Sequence, residues 1–267
     1  MQIKGYSENT INVYCNVLKL VQHTGKFKDW SRLDDEFLQE LCFTIFTHKR
    51  MSYSYQKQVI GGVQLFYKLV FDRKVPLAVL QVTRKSFKLP IVLSKSEVHG
   101  LLKVTNNLKH KAVLATIYSL GLRVGEMLNL KVKDLDGERN VVNIYNAKGK
   151  KDRQLMFPEN LKQLLRKYFQ VYKPTDYLFE GQGKAQYSRS SALKVLKKSA
   201  NRAGVKKQVT LHTLRHSFAT HLLEDGTDVR VIQKLLGHNS IKTTMIYTHV
   251  ANSYLINVKS PIDGMDI

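Results

Sequence analysis

The sequence predicts a mainly α-helical fold with one small antiparallel β-sheet in its C-terminal domain, preceded by a separate N-terminal helical domain. Three observations carry this reading. Apolar residues recur at helical spacing through the first 71 positions and again beyond Pro158, and residues 140–158 between them alternate apolar and polar around the turn sequence GKKD.

From Ser7 onward, Ile11, Tyr14, Val17, Leu18 and Val21 share one helical face, with Gly25 where a C-cap belongs. Asp34 to His48 forms a second helix through Phe37, Leu41, Ile45 and Phe46, and Ser54 to Phe71 a third through Val59, Val63, Phe66, Tyr67 and Val70. These helices define a first domain over residues 1–80. The periodicity lapses between Pro76 and Pro90, where Arg84, Lys85 and Lys88 crowd the second proline, so a linker is expected over 81–93. Ser94 with Glu97 reads as a capping box, and residues 108–121 as an apolar helix stopped by Gly121. Residues 140–158 form a hairpin with a basic turn, and helices are expected over 159–172, 188–203, 211–225, 228–236 and 240–249. The second domain then spans 94–250, and the tail 251–267 has weak periodicity.

At 267 residues with 43% hydrophobic and 24% charged side chains, the chain has material for two ordinary cores. Its 43 Lys and Arg against 21 Asp and Glu give a net charge of +22, which attracts a polyanion through solution. Residues 1–90 hold 14 basic and 7 acidic side chains and the remainder 29 and 14, so both halves can meet a phosphate backbone. Double-stranded DNA is the expected partner. Cys15 and Cys42 stand apart and outside any CxxC pattern, which argues against a disulfide framework or a cysteine zinc site. With neither a long apolar run nor a secretion signal at the N-terminus, a cytoplasmic protein without a membrane partner is expected.

The chemistry concentrates in LHTLRHSFATHLLEDGTDVRVIQKLLGHNSIKTTMIYTHV. His212 and Arg215 emerge on one face near the positive end of a helix, a face suited to phosphate. Gly237 ends the following helix and presents His238, and Tyr247 follows nine residues later. Nine residues of straight helix span about 13.5 Å, so both side chains reach one phosphate only if His238 lies outside the helix or the chain bends. His212 and His216 form an HxxxH pair, but Thr213 stands where HExxH has its glutamate, and no paired carboxylates with metal-ligand spacing lie near the motifs. Neither metal nor cofactor is therefore expected. His216 and His221 read as core or structural hydrogen-bonding residues.

The HxLRH, LGH and tyrosine spacing resembles that of the tyrosine recombinase (lambda integrase) superfamily, especially its Xer and integron members. YSLGLRVGEMLNLK resembles the family's first arginine motif and NAKGKKDRQLMFP its catalytic-lysine hairpin. The resemblance covers roughly residues 90–250; it implies Arg123, Lys148, His212, Arg215, His238 and the nucleophile Tyr247 as catalytic residues, with Glu126 supporting Arg123. The implied reaction passes through a 3′-phosphotyrosine and a Holliday junction without metal or ATP. Arg123 and Arg215 would clamp the phosphate, His212 accept or position the tyrosine proton, Lys148 protonate the leaving oxygen and His238 donate to a non-bridging oxygen.

The same resemblance implies a SAM-like core-binding domain in the first 80 residues, and phosphate contacts from Lys57, Lys68, Lys150, Lys151, Arg153, Arg189, Lys194 and Lys197. It implies four protomers on two DNA sites, as a homotetramer or a heterotetramer with a related recombinase, with the tail 251–267 packing on a neighbour. The early first helix hints that an upstream segment common in relatives is short or missing, and the lack of a separate arm-binding domain favours an Xer-like or integron-like arrangement. A helix-turn-helix regulator reading of residues 213–236 accounts for charge and helices but leaves Arg123, Lys148 and Tyr247 without purpose. A type IB topoisomerase shares the chemistry but fits the LGH motif and the length less well.

Overall fold

The computed structural model describes residues 5–6, 8–48, 51–77, 89–145 and 152–251. The chain divides between Phe87 and Lys88 into two compact units.

In the N-terminal unit, α1 (Glu8–Gly25) packs along α3 (Tyr53–Val70) and against α2 (Asp35–His48). Val17, Val21, Ile45, Val59, Val63 and Tyr67, which the helical period put on inward faces, are the buried centre together with Leu38, whereas Phe37 and Val70, expected on the same faces, are exposed. Ser52 caps α3 by accepting the Tyr55 amide. Beyond the helices, the Tyr67 hydroxyl donates to the Trp30 carbonyl at 2.8 Å, Arg73 donates to the Leu33 carbonyl at 2.7 Å, and Arg73 pairs with Asp35. These bonds fasten α3 and the segment after it to the connection between α1 and α2 and to the start of α2.

The C-terminal unit begins before the expected end of the linker. Leu93 is fully buried in its core, and the Leu93 amide donates to Ser217 Oγ at 2.9 Å, so residues 89–93 belong to this unit. Ser94 and Glu97 close the predicted capping box on α4 (Lys95–Lys103). The central helix, α5 (Leu108–Leu120), buries every residue from Ala112 to Ile117, because α7 (Glu159–Tyr172), α8 (Arg189–Arg202) and α9 (Leu211–Glu224) pack around it. It stops at Gly121, whose φ is +58° and where a β-carbon would lie 2.4 Å from the Phe218 ring. Only glycine tolerates both conditions. The turn delivers the chain directly into α6 (Val124–Asn129).

Strands β1 (Leu135–Asp136), β2 (Val141–Ile144) and β3 (Arg153–Met156) form an antiparallel sheet in that order, with Val142 opposite Leu155. The expected hairpin is therefore joined by a third strand, too short at two residues to show alternation in sequence. Its turn, with Lys148, Lys150 and Lys151, lies outside the described residues, as do linker residues 81–88 and the tail beyond Ala251.

After α9 come α10 (Val229–Leu236) and the single turn α11 (Ile241–Thr244), which tightens into a 3-10 turn over Met245–Tyr247. This replaces the continuous helix expected over 240–249. A small core of Ala219, Leu223, Ile232, Leu236, Tyr247 and Ala251 draws the turn onto α9 and α10, and burying Tyr247 there outweighs continuing a threonine-rich helix. Among the described residues, no helix is long and apolar enough to cross a membrane.

Candidate active site

The site assembles around the C-terminal end of α10, where backbone carbonyls lack helical partners and carry the negative end of the helix dipole. Three successive carbonyls there each accept from a different arginine. Arg153 Nε donates to Leu235 O at 2.9 Å, Arg215 Nη2 to Leu236 O at 2.8 Å, and Arg123 Nη2 to Gly237 O at 2.9 Å. Arg215 also donates through Nη1 to Gly121 O at 2.7 Å, so the glycine stop of α5 and the end of α10 share one guanidinium.

Glu126 holds the three cations together. Its carboxylate accepts Arg123 Nη1 at 2.7 Å and Arg153 Nη1 and Nη2 at 3.0 and 2.8 Å, and lies 3.7 Å from Arg215 Nη1. It also accepts the Arg123 amide at 2.9 Å, which caps α6. Burial alone would raise its pKa, but the bonds and charge of Arg153, then the bonds of Arg123, hold it at about 2. Burial, followed by repulsion from Arg123, lowers Arg215 to about 10, so it remains charged at neutral pH.

Gly237 adopts φ +62° and ends α10 in a left-handed cap, which leaves His238 outside the helix. This is one of the two arrangements that the nine-residue spacing allowed. His238 Nε2 lies 3.0 Å from Arg215 Nη2 and Nδ1 lies 2.9 Å from Thr244 Oγ1. A guanidinium only donates, so Nε2 accepts and Nδ1–H faces the threonine hydroxyl. Burial, then the charges of Arg215, Arg123 and Arg153, push His238 down to about 4 and keep it neutral.

Tyr247 is 2% exposed and lies nearly parallel to His238, with ring centroids 6.4 Å apart. Its hydroxyl is 3.1 Å from His216 Nδ1. Burial raises the phenol pKa, opposed by the charges of Arg215 and then Arg123. The partner that sequence assigned to this hydroxyl was His212. His212 instead has a solvent-exposed side chain on the first turn of α9, its ring 6.2 Å from that of His216. Partial desolvation nevertheless depresses His212, ahead of the charges of Arg215, Arg189 and Arg123. His216, read from sequence as structural, occupies the position next to the hydroxyl. Its place beside Arg215 in LRH was the available signal. His221 fits its structural reading, with Nδ1 2.9 Å from the Tyr118 hydroxyl.

Arg123, Arg215, His238, Tyr247 and Glu126 are thus brought together, while Lys148 lies outside the described residues. Lys57 and Lys68 on α3, and Arg189, Lys194 and Lys197 on α8, are exposed. Arg153 is not free in the same way. Its side chain is 10% exposed and turned inward to Glu126 and Leu235, because it shares the inward strand face with Leu155, two residues on. Among the described residues, no group of three or more His, Cys, Asp and Glu side chains is arranged to hold a metal ion.

A charged clamp of this kind, with an aromatic hydroxyl at its edge, can receive a phosphate and present a nucleophile to it. Residues 92–253 match the Phage integrase family. The chain is 32% identical over 272 residues to the tyrosine recombinase XerD of Oceanobacillus iheyensis, covering 94% of this chain and 91% of that one. It superposes on the crystal structure of XerA recombinase with a TM-score of 0.59 at 31% identity, covering 96% of this chain and 92% of that one. With XerH site-specific recombinase bound to palindromic difH substrate in a post-cleavage complex, the TM-score is 0.73 at 25% identity, over 92% of this chain and 77% of that one. The matched motifs, the relatives and the fold agree: the chain is a tyrosine recombinase and belongs to the Phage integrase family.

Proposed function

We propose that this recombinase cuts and rejoins DNA at a specific site, with Tyr247 Oη as nucleophile. One observation carries the reading: the buried Tyr247 hydroxyl lies in one cluster with half-buried His238 and two guanidiniums that Glu126 and the α10 carbonyls hold in place. Attack on a phosphodiester builds negative charge on the non-bridging oxygens, and fixed guanidiniums stabilise that charge with little reorganisation. Oη bonds to phosphorus, the bond to the 5′ oxygen breaks, and a 3′-phosphotyrosine retains the ester for religation without an external energy source. In this reading Lys148 protonates the departing 5′ oxygen, exposed His212 contacts the phosphate, and His238, whose Nε2 accepts from Arg215 and so has no hydrogen to donate to a non-bridging oxygen, holds that guanidinium in place.

The same proposal makes the N-terminal unit a core-binding domain. Exposed Lys57, Lys68, Arg189, Lys194 and Lys197, together with Lys150 and Lys151, contact phosphates and give binding its salt dependence. Four protomers, identical or shared with a related recombinase, act on two sites through a Holliday junction. Residues 251–267 dock on a neighbour, and the reaction takes place in the cytoplasm with the DNA. Arg153, committed to Glu126 and the Leu235 carbonyl, makes no phosphate contact in this reading.

A bound site is first selected from a random duplex pool and then prepared as a nicked suicide substrate. Wild-type protein is expected to form a denaturant-resistant DNA adduct and Tyr247→Phe none, with both retaining the DNA in a gel shift. Binding without any adduct would favour a helix-turn-helix regulator. Relaxation of supercoils that needs no specific site would favour a topoisomerase.

A further inference from the structure

We propose that His216 is a catalytic residue of this chain, the base that takes the Tyr247 proton as Oη attacks phosphorus. The inference rests on the reading of Tyr247 as nucleophile and assigns a partner to its reacting atom. His216 follows Arg215 on α9, so the helix that fixes the phosphate-clamping guanidinium also fixes this imidazole. Nδ1 lies 3.1 Å from Oη, and the two ring centroids are 5.7 Å apart.

The direction of the bond follows from the neighbours. The cations acting on the hydroxyl are Arg215 and Arg123, which have hydrogens to offer and no lone pair. The oxygen lone pairs of Tyr247 therefore face the guanidiniums, and its hydrogen turns to His216 Nδ1. The imidazole then carries its own proton on Nε2. Burial, then His212 and Arg215, hold His216 at about 4, so the nitrogen lone pair is available at neutral pH. A base this weak at rest gains strength during the step, because an imidazolium forms beside the negative charge gathering on phosphorus. Atoms and charge balance: the Oη–P bond forms, the P–O5′ bond breaks, the tyrosine proton moves to Nδ1, and the 5′ oxygen receives its proton from Lys148. Religation runs the transfers backwards, His216 returning the proton to the departing phenolate.

The test is single-turnover cleavage of the nicked selected duplex by wild-type, His216→Ala, His216→Gln, Lys148→Ala and Tyr247→Phe proteins, with DNA retention measured for each. His216→Ala is expected to cleave about 10²–10⁴-fold more slowly, with part of the rate restored by imidazole in the buffer. His216→Gln keeps an acceptor and most of the volume but cannot take a proton, so it is expected to stay slow, whereas a merely positioning role would be rescued. A duplex with sulfur at the bridging 5′ position needs no acid to release its leaving group. It is expected to restore Lys148→Ala and leave both His216 variants slow. Cleavage by either His216 variant at or above the wild-type rate, or their rescue by the sulfur substrate, overturns the proposal. An adduct on Tyr247→Phe would instead overturn the choice of nucleophile, so the two failures are distinct. If the alanine variant no longer retains DNA, the glutamine variant carries the decision.

Discussion

Both terminal nitrogens of Arg153 donate to the carboxylate of Glu126, at 3.0 and 2.8 Å, joining strand β3 to the start of α6. The same carboxylate holds Arg123, so an arginine assigned to phosphate depends on one that DNA need never touch. Removing one partner of such a buried pair leaves uncompensated charge, which typically costs about 3–5 kcal/mol. Glu126→Leu is expected to lose about that much stability in urea, and Arg153→Met less, because Arg123 still neutralises the carboxylate. Since the pair is in direct contact, the double variant should be more stable than the sum of the single losses.

Arg215 reaches Gly121 O through Nη1 and Leu236 O through Nη2. Lysine carries the charge but has one nitrogen on a flexible stem and cannot reproduce this fork. Arg215→Lys is expected to bind DNA with near-normal affinity and to cleave at least about 10²-fold more slowly in single turnover.

Acid is expected to destabilise the C-terminal unit in two stages. His216 and His238 are held at about 4 in the folded chain, below the usual imidazole value of about 6.5. Between these values the unfolded chain binds more protons, so stability falls as pH drops through the window, by up to about 1.4 kcal/mol per unit per histidine and less where solvent screens the rings. Glu126, held at about 2, contributes stability that is complete above the ordinary carboxyl range and is lost as pH falls from about 4.5 toward 2. Urea midpoints measured from pH 7 to 3 should decline accordingly, and His238→Gln should flatten the first stage.

Gly237 occupies the left-handed cap of α10, and a β-carbon there would lie 3.0 Å from Arg153 Nη1. Gly237→Ala is expected to cost about 1–2 kcal/mol for the backbone alone, measured by thermal melting. Cleavage should slow as well, because the same turn sets His238.

Much of this was legible in the sequence. Helical periodicity located α1 to α3 and the helices after Pro158, and the Ser94–Glu97 box and Gly121 marked helix ends, because these signals depend on neighbours in the chain. The meeting of Arg123, Arg215, His238 and Tyr247 followed from family spacing. What stayed hidden depends on contacts distant in sequence. Glu126 reads from sequence as support for Arg123 alone, since nothing local announces Arg153 across 27 residues. Arg153 reads from sequence as a phosphate contact, although its two-residue spacing from Leu155 already puts it on an inward strand face. The tightening before Tyr247 is imposed by the small core beneath it, which a local helix pattern does not contain.

The end of α10 draws its three arginines from separations of 82, 21 and 114 residues. A nascent or partly unfolded chain consequently has a tyrosine but no anion receptor in which to use it. Competence to cut DNA is therefore expected only with completed tertiary assembly, which leaves incomplete molecules unable to attack a phosphodiester.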